Sequence, residues 1–209
     1  MVREDNATEI EGSGFEAQEG LSDGFQKLYT VEEFATWARL HKKTVYRLIE
    51  DGGLNVLRIG KNDRTARIPQ RTIDDIVGYE TGGELPLMYT VREIAGWLGE
   101  APKTVYRLID EKAIPAVQVG KAIRVPQATI DGILGYKSDG LPKLLTVNQM
   151  AHNLRLSKKT IYRYGKNGIL PNVQVGGAIR YAEDATVAYL EKRGLNASAN
   201  PNNLNLGFR

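Results

Sequence analysis

The sequence predicts an α+β protein, mainly α, made of three tandem modules of one fold. The first observation is a repeated string, KTVYR at 43–47 and 103–107, with the near copy KTIYR at 159–163. The second is that the chain aligns on these strings far beyond five residues. The third is the same order of helical and strand patterns around each copy. An internal repeat of this length indicates repeated structural units, each near the lower size limit of an independent domain.

Three sets of identical residues support the alignment: Thr30, Thr90 and Thr146; Ala35, Ala95 and Ala151; Gly60, Gly120 and Gly176. Short segments rich in Gly, Pro and polar residues separate the copies, as linkers do. We therefore divide the chain into an acidic disordered arm (1–27), module 1 (28–80), a linker (81–87), module 2 (88–136), a linker (137–143), module 3 (144–193) and an Asn-rich disordered tail (194–209).

The composition excludes several classes of protein. None of the 209 residues is a cysteine, so disulfides, cysteine zinc sites and thiol nucleophiles are absent. No apolar run approaches the roughly 18 residues of a membrane span. The acidic N-terminal segment lacks the apolar core of a signal peptide, and we expect a cytoplasmic protein associated with the nucleoid or a plasmid.

Charge is distributed unevenly along the chain. Residues 1–27 carry a net charge of −5, so the remainder carries +8 of the overall +3. A basic body favours a polyanionic partner, and the acidic arm either competes for the same surface or only aids solubility. Residues 143–195 hold nine basic and three acidic residues, so we expect module 3 to dominate non-specific affinity for such a partner.

Each module begins with two short helices. Thr30 and Glu33 fit a capping box at the start of the first helix. The second helix is predicted from Lys42 to about Glu50, and Ser157 is the natural N-cap of its counterpart in module 3. Two such helices joined by a short turn form a helix-turn-helix.

A predicted hairpin and a third helix complete each module. The segments VLRIGKNDRTARIP, AVQVGKAIRVP and NVQVGGAIRY alternate apolar and polar residues around a glycine turn. The closing helices are TIDDIVGY, TIDGILGY and DATVAYLE. The complete order is that of a winged helix-turn-helix, with the hairpin as the wing.

The second helix of each module has one aliphatic and one basic face. Val45, Leu48 and Ile49 lie at spacings of three and four, so they pack inward. The opposite face offers cations and hydroxyls near a helix N-terminus, which suits phosphate and base contacts. The predicted DNA-contacting residues of these helices are Lys42, Lys43, Thr44, Tyr46, Arg47, Lys103, Thr104, Tyr106, Arg107, Lys158, Lys159, Thr160, Tyr162 and Arg163.

The predicted wings add a second basic element. A wing beside such a helix usually follows the DNA backbone or enters the minor groove. The predicted wing contacts are Lys61, Arg64, Arg67, Lys121, Arg124 and Arg180. Among them, Arg67, Arg124 and Arg180 occupy the same aligned position. The alternative is that a hairpin arginine pairs with a nearby acid. Trp37 and Trp97 align and are expected to serve packing.

These residues resemble the excisionase-like, MerR-like winged helix-turn-helix family, three times over between residues 28 and about 192. The resemblance implies duplex DNA binding, with the second helix of each module in the major groove and the wing alongside. The chain lacks the long dimerisation helix of MerR-type activators, the first wing is longer, and Tyr164-Gly165 replaces Leu-Ile in the third copy.

We expect a bacterial double-stranded DNA-binding protein whose modules lie head to tail along consecutive grooves, which recur about every 34 Å. Either it is a site-specific regulator of transcription or an excisionase-type recombination factor, or it is an architectural or segregation protein that coats DNA and recruits partners or further copies through its termini. A protein–protein adaptor also stays open. His41 and His152 occupy non-equivalent positions, and no catalytic, metal-binding or cofactor-binding motif occurs, so neither enzyme activity nor a cofactor is expected.

Overall fold

A computed structural model describes residues 26–60 and 65–193. The expected disordered tail at 194–209 and nearly all of the acidic arm lie outside the described residues. So do the predicted wing contacts Lys61 and Arg64.

The described residues form nine helices and three small antiparallel sheets in three successive sets. The elements of module 1 are β1 (Leu28–Tyr29), α1 (Val31–Trp37), α2 (Lys42–Glu50), β2 (Leu57–Ile59), β3 (Thr65–Pro69) and α3 (Gln70–Val77). Those of module 2 are β4 (Met88–Thr90), α4 (Val91–Leu98), α5 (Pro102–Asp110), β5 (Val117–Val119), β6 (Ala122–Pro126) and α6 (Gln127–Leu134). Those of module 3 are β7 (Leu144–Thr146), α7 (Val147–Asn153), α8 (Lys158–Lys166), β8 (Val173–Val175), β9 (Ala178–Ala182) and α9 (Glu183–Glu191).

Each sheet has a strand that the sequence did not predict. The strands β1, β4 and β7 precede the first helix and pair with the second hairpin strand, giving the orders β1-β3-β2, β4-β6-β5 and β7-β9-β8. In the register, Tyr29 lies opposite Ile68 and Leu145 lies opposite Tyr181. These strands are two or three residues long, too short for an alternating pattern to be recognised.

Side-chain caps fix the start of the first helix in every module. The Thr30 hydroxyl accepts from the Glu33 amide and the Glu33 carboxylate accepts from the Thr30 amide, as the sequence predicted. Thr90 with Glu93 and Thr146 with Gln149 form the same reciprocal pair. Each box satisfies two backbone donors that a helix start otherwise leaves unpaired.

The hairpin of one module packs onto the core of the module before it. Val119 of β5 is buried among the core residues of module 1, and α3 contacts β5. Val173 and Val175 of β8 are buried in the core of module 2 in the same way. The apolar core therefore continues from each module into the next, and the modules are docked.

Two turn glycines make this docking close. Gly120 and Gly176 have φ values of +62° and +60°, which side chains rarely adopt. A Cβ atom at Gly120 would lie 2.6 Å from Leu48 Cδ2, and one at Gly176 would lie 2.8 Å from Leu108 Cδ2. A side chain at either position would strain the turn and displace the leucine of the preceding module, so glycine is favoured there.

The linkers are held against the modules by tryptophan. Trp37 Nε1 donates to the Pro86 carbonyl at 2.8 Å, and Trp97 Nε1 donates to the Pro142 carbonyl at 2.7 Å. This supports the packing role predicted for both tryptophans. Asn153 occupies the aligned position in module 3.

Glu93 has two roles. Its carboxylate accepts the Thr90 amide in the capping box of α4, and it also forms an ion pair with Arg39 of module 1. Partial burial opposes ionisation, but hydrogen bonds from Thr90 and the charge of Arg39 hold the pKa of Glu93 below its ordinary value of 4.5. A depressed folded-state pKa contributes stability above pH 4.5 that is lost as the pH falls through the lower folded value.

Thermal melts of the wild type and of the Glu93→Gln variant, recorded from neutral pH to pH 3, test this contribution. The melting temperatures of the two proteins should converge at the acid end, because the Glu93 carboxylate is then protonated. A difference in melting temperature that does not shrink with acid would contradict this expectation.

No helix in the described part of the chain is long and apolar enough to cross a membrane.

Candidate nucleic-acid interface

The helices α2, α5 and α8 present the same exposed face. Their central aliphatic residues, Val45, Val105 and Ile161, are fully buried. The aligned tyrosines Tyr46, Tyr106 and Tyr162 point outward and are 53%, 47% and 51% exposed. The lysines and arginines of the repeated string are exposed, and the threonines are half-buried; they are Lys43, Lys103, Lys159, Arg47, Arg107, Arg163, Thr44, Thr104 and Thr160. Lys42 and Lys158, at the first position of their helices, are exposed as well.

The N-terminus of each of these helices is built differently. The Ser157 hydroxyl accepts from the Thr160 amide at 3.1 Å, which confirms the predicted cap. His41 Nδ1 accepts from the Lys43 amide in α2, a cap that the sequence analysis missed. In α5, Pro102 follows Ala101, whose side chain makes no cap hydrogen bond, and proline suits the first turn because it has no amide proton to satisfy.

Some of the basic side chains have partners within the protein. Lys42 pairs with Glu32 at 2.6 Å, and Arg107 pairs at 2.8 Å with Glu111, the C-cap residue of α5. The Arg163 guanidinium lies 5.6 Å from the centre of the Tyr164 ring. Exposed pairs of this kind contribute little and exchange readily for a phosphate partner. Within residues 26–60 and 65–193, no ion pair involves Arg47 or Lys159.

A groove joins the exposed faces of modules 2 and 3. It has a volume of about 520 Å³ and is lined by Thr104 and Arg107 of α5 and by Tyr162 of α8. The third hairpin also lines it, through the turn at Gly176. The structure thus brings predicted contact residues of two modules into one surface.

Arg124 lies between modules rather than on an open wing. Its Nε donates to the Ala38 carbonyl at 2.7 Å and its Nη2 donates to the Arg39 carbonyl at 2.8 Å, at the end of α1. The residue is 9% exposed, and this burial lowers the pKa of its guanidinium. The predicted DNA contact does not fit this placement, because the donors are already directed at backbone acceptors.

Arg180 repeats the contact one module further along. Its Nε donates to the Leu98 carbonyl at 2.9 Å, and its Nη2 bonds Glu100 at 3.0 Å. The side chain is 16% exposed. The alternative of pairing with an acid therefore applies to Arg180, and its predicted DNA contact does not fit the structure either.

The remaining described wing residues differ from these two. Lys121 is exposed at the turn of the second hairpin. Arg67 is half-buried and its Nη1 donates to the carbonyl of its neighbour Ala66 at 3.0 Å. Lys121 and Arg67 both remain predicted DNA contacts, because solvent can reach each side chain.

Among the described residues no group of three or more His, Cys, Asp or Glu side chains is placed to hold a metal ion.

Two parts of the chain, 88–133 and 144–194, match a family model described as a helix-turn-helix domain. These two regions are thus similar to helix-turn-helix domains. They cover just under half of the chain, and residues 28–80 lie outside them. No curated protein and no solved structure matches the chain.

In helix-turn-helix domains the second helix contacts base edges in the major groove while the first crosses the backbone. In the two matched domains the second helices are α5 and α8, which carry the exposed Lys, Tyr and Arg side chains. The family match supports a DNA-binding role for these two regions, in which α5 and α8 are the second helices.

Proposed function

We propose that the chain is a double-stranded DNA-binding protein with three tandem winged helix-turn-helix modules, and not an enzyme. Its second helices α2, α5 and α8 enter consecutive major grooves, and the protein acts in the cytoplasm on nucleoid or plasmid DNA. Within this function we favour a site-specific regulator or an excisionase-type recombination factor. The supporting resemblance is to the excisionase-like and MerR-like family.

One observation carries the proposal: each of α2, α5 and α8 exposes the same lysine, tyrosine and arginine while its aliphatic side is buried in the module core. Val45, Val105 and Ile161 are fully buried, while lysine, tyrosine and arginine stand exposed on the same helix each time. An exposed tyrosine supplies a hydroxyl for phosphate, and an arginine can bind a guanine edge through two hydrogen bonds. The same exposed groups on three helices support the same kind of ligand for all three modules.

Because the modules are docked on one another, their arrangement is already fixed before the protein binds DNA. The contacts of Arg124, Arg180 and the two turn glycines hold neighbouring modules together in the free protein. A ligand-binding array that is already ordered loses less conformational entropy on binding. The same docking favours a second candidate, an architectural protein that coats or bends DNA, because a stiff array imposes its shape on the duplex.

Selection of bound duplexes from a random pool, followed by footprinting, tests the proposal. A fixed footprint on one selected sequence supports the site-specific function. Protection that grows with duplex length and tolerates any sequence supports the coating function. Absence of duplex binding at low salt, with the fold intact, would reject both.

The excess charge of module 3 gives a prediction within this function. Lys159→Ala with Arg163→Ala should weaken binding more than the aligned pair Lys43→Ala with Arg47→Ala. The reason is that residues 143–195 carry a net charge of +6, whereas residues 28–86 carry nine basic and nine acidic residues. Each lost phosphate contact should lower the slope of log affinity against log salt by about 1.

A gel-shift titration at several salt concentrations measures both affinity and slope for the two double variants. Equal losses would show that the local charge excess does not decide which module dominates.

A further inference from the structure

The sheet of module 1 has an exposed apolar face, which we call the open face. Its large apolar side chains are Leu28, Leu57 and Ile59, which are 38%, 47% and 43% exposed. Leu28 lies opposite Pro69 in the register, and Ile59 lies opposite Thr65. Residues 65, 67 and 69 of β3 share one side of the sheet because side chains alternate along a strand, and directly opposed residues project from the same side. The open face therefore spans β1, β3 and β2.

The aligned faces of modules 2 and 3 are covered by the module before them. Met88 and Val119 are 2% and 3% exposed and belong to the core of module 1. Val173 and Val175 are 6% and 7% exposed and belong to the core of module 2. The helices α3 and α6 take part, since they contact β5 and β8. In both modules the cover comes from the part of the chain that precedes the sheet, and before module 1 that part is the acidic arm.

Arg67 adds a positive charge to the open face. It lies opposite Leu57 in the register, so the two side chains project from the same side of the sheet. Its Nη1 donates to the Ala66 carbonyl at 3.0 Å. The aligned Arg124 makes the same kind of bond and also directs its Nε at the Ala38 carbonyl of the preceding module. Within residues 26–60 and 65–193 no ion pair involves Arg67, so an occupant with negative charge would complement this face.

The acidic arm combines apolar side chains with negative charge. Residues 1–25 hold seven acidic residues and one basic residue. The large apolar residues nearest to the sheet are Phe15, Leu21 and Phe25, and each has an acidic residue within two positions. Residues 194–209, at the other end of the chain, contain no Asp or Glu. Charge complementarity with Arg67 therefore favours the arm over the Asn-rich tail.

We propose that the acidic arm docks on the open face of module 1 in the same chain. Phe15, Leu21 and Phe25 supply the apolar cover for Leu57 and Ile59, and the neighbouring carboxylates pair with the Arg67 guanidinium. The arm thus takes the place at module 1 that the preceding module takes at modules 2 and 3. The proposal does not rest on DNA binding, because the contact involves none of α2, α5 and α8.

The connection between arm and sheet favours a contact within one chain. The arm leads directly into β1 at Leu28, and β2 lies about 10 Å away because neighbouring strands are about 4.8 Å apart. At about 3.3 Å per residue, the chain between Phe15 and Leu28 is long enough to reach any part of the open face. A tethered segment has an effective concentration of about millimolar, so even a weak contact forms within the chain before it forms with a separate molecule.

A spin label near the open face tests the contact in the full chain. The protein has no cysteine, so Arg58→Cys provides a single labelling site. Arg58 is exposed and projects from the other side of β2, which leaves Leu57 and Ile59 in place. The label should broaden the amide signals of the residues around Phe15 and Leu21 in nuclear magnetic resonance spectra.

The control variants separate docking from mere tethering. Ile59→Asp, made in the labelled chain, keeps the tether but removes an apolar contact and repels the acidic residues, so the broadening around Phe15 should be lost. Leu87→Asp is the matched control, because Leu87 is exposed to a similar extent (47%) in the linker before β4, and it should leave the broadening unchanged. Broadening that is the same with Ile59→Asp as without it would show that the arm is only tethered nearby and would overturn the proposal.

Mixing identifies a contact between copies. A labelled chain without isotope enrichment is mixed with an enriched, unlabelled chain. The arm signals of the enriched chain should stay sharp. If they broaden, the occupant of the open face comes from another copy and the proposal is wrong.

Substitutions in the two end segments identify the occupant. The arm variant carries Phe15→Ser, Leu21→Ser and Phe25→Ser, and the tail variant carries Leu204→Ser, Leu206→Ser and Phe208→Ser. The methyl signals of Leu57 and Ile59 should shift in the arm variant and stay in place in the tail variant. Shifts in the tail variant alone, or in neither variant, would overturn the proposal.

Discussion

Replacing Arg47, Arg107 and Arg163 together by alanine is expected to abolish sequence-specific DNA binding while the fold persists. All three side chains are exposed on α2, α5 and α8, so their removal leaves the buried aliphatic residues in place. A bidentate arginine–base contact contributes about 1–3 kcal/mol of discrimination. Loss of three such contacts should lower specific affinity by at least about a hundredfold, measured by titration on the selected duplex and on a scrambled one.

The control removes three charges elsewhere. Arg71, Lys137 and Lys192 are exposed and lie outside the three contact helices. Their triple alanine variant has the same net charge as the arginine variant. Similar losses for both variants would reduce the role of the three arginines to general electrostatic attraction.

Replacing Arg124 and Arg180 by alanine should separate the modules without removing a DNA contact. Each replacement deletes two charge-assisted hydrogen bonds to the preceding module and leaves the acceptors near Ala38 and Leu98 unpaired. At Arg124, which is buried, we expect unfolding to become easier by about 2–4 kcal/mol. Scattering should show a larger radius for the double variant, and the salt slope of DNA binding should stay as in the wild type.

Arg67→Ala is the matched control, since Arg67 aligns with both residues but bonds only its neighbour Ala66 within the described chain. It should leave the stability of a dilute sample nearly unchanged. If Arg124→Ala instead lowers the salt slope by about 1 and leaves stability unchanged, Arg124 contacts phosphate and the assignment to the module contact is wrong.

The helices, and the division of each into a buried and an exposed face, could be predicted from residues that are close together in the sequence. The capping box at Thr30, the cap at Ser157 and the burial of Val45 are each set by residues within one turn. Aligning three copies strengthened these predictions, because the same inward and outward positions recur. The family match at 88–133 and 144–194 agrees with a helix-turn-helix interpretation.

The contacts between modules did not follow from the sequence. Alignment shows that Arg124 and Arg180 are equivalent, but it does not show that each bonds a residue more than 80 positions earlier. A hairpin arginine looks the same in sequence whether it meets phosphate or a helix C-terminus, because both are hydrogen-bond acceptors. One feature of the sequence is consistent with the contact: each turn glycine, Gly120 or Gly176, is preceded one copy earlier by a leucine at the same helical position, Leu48 or Leu108.

The repeated docking gives the chain a direction. Gly120 meets Leu48 and Gly176 meets Leu108, so the step from module 1 to 2 is nearly the same as the step from 2 to 3. Equivalent steps leave α2, α5 and α8 oriented alike, with no two-fold axis between them. Under the proposed function, we expect the DNA site to consist of direct repeats rather than a palindrome. Inverting the middle subsite should then turn its sequence away from α5.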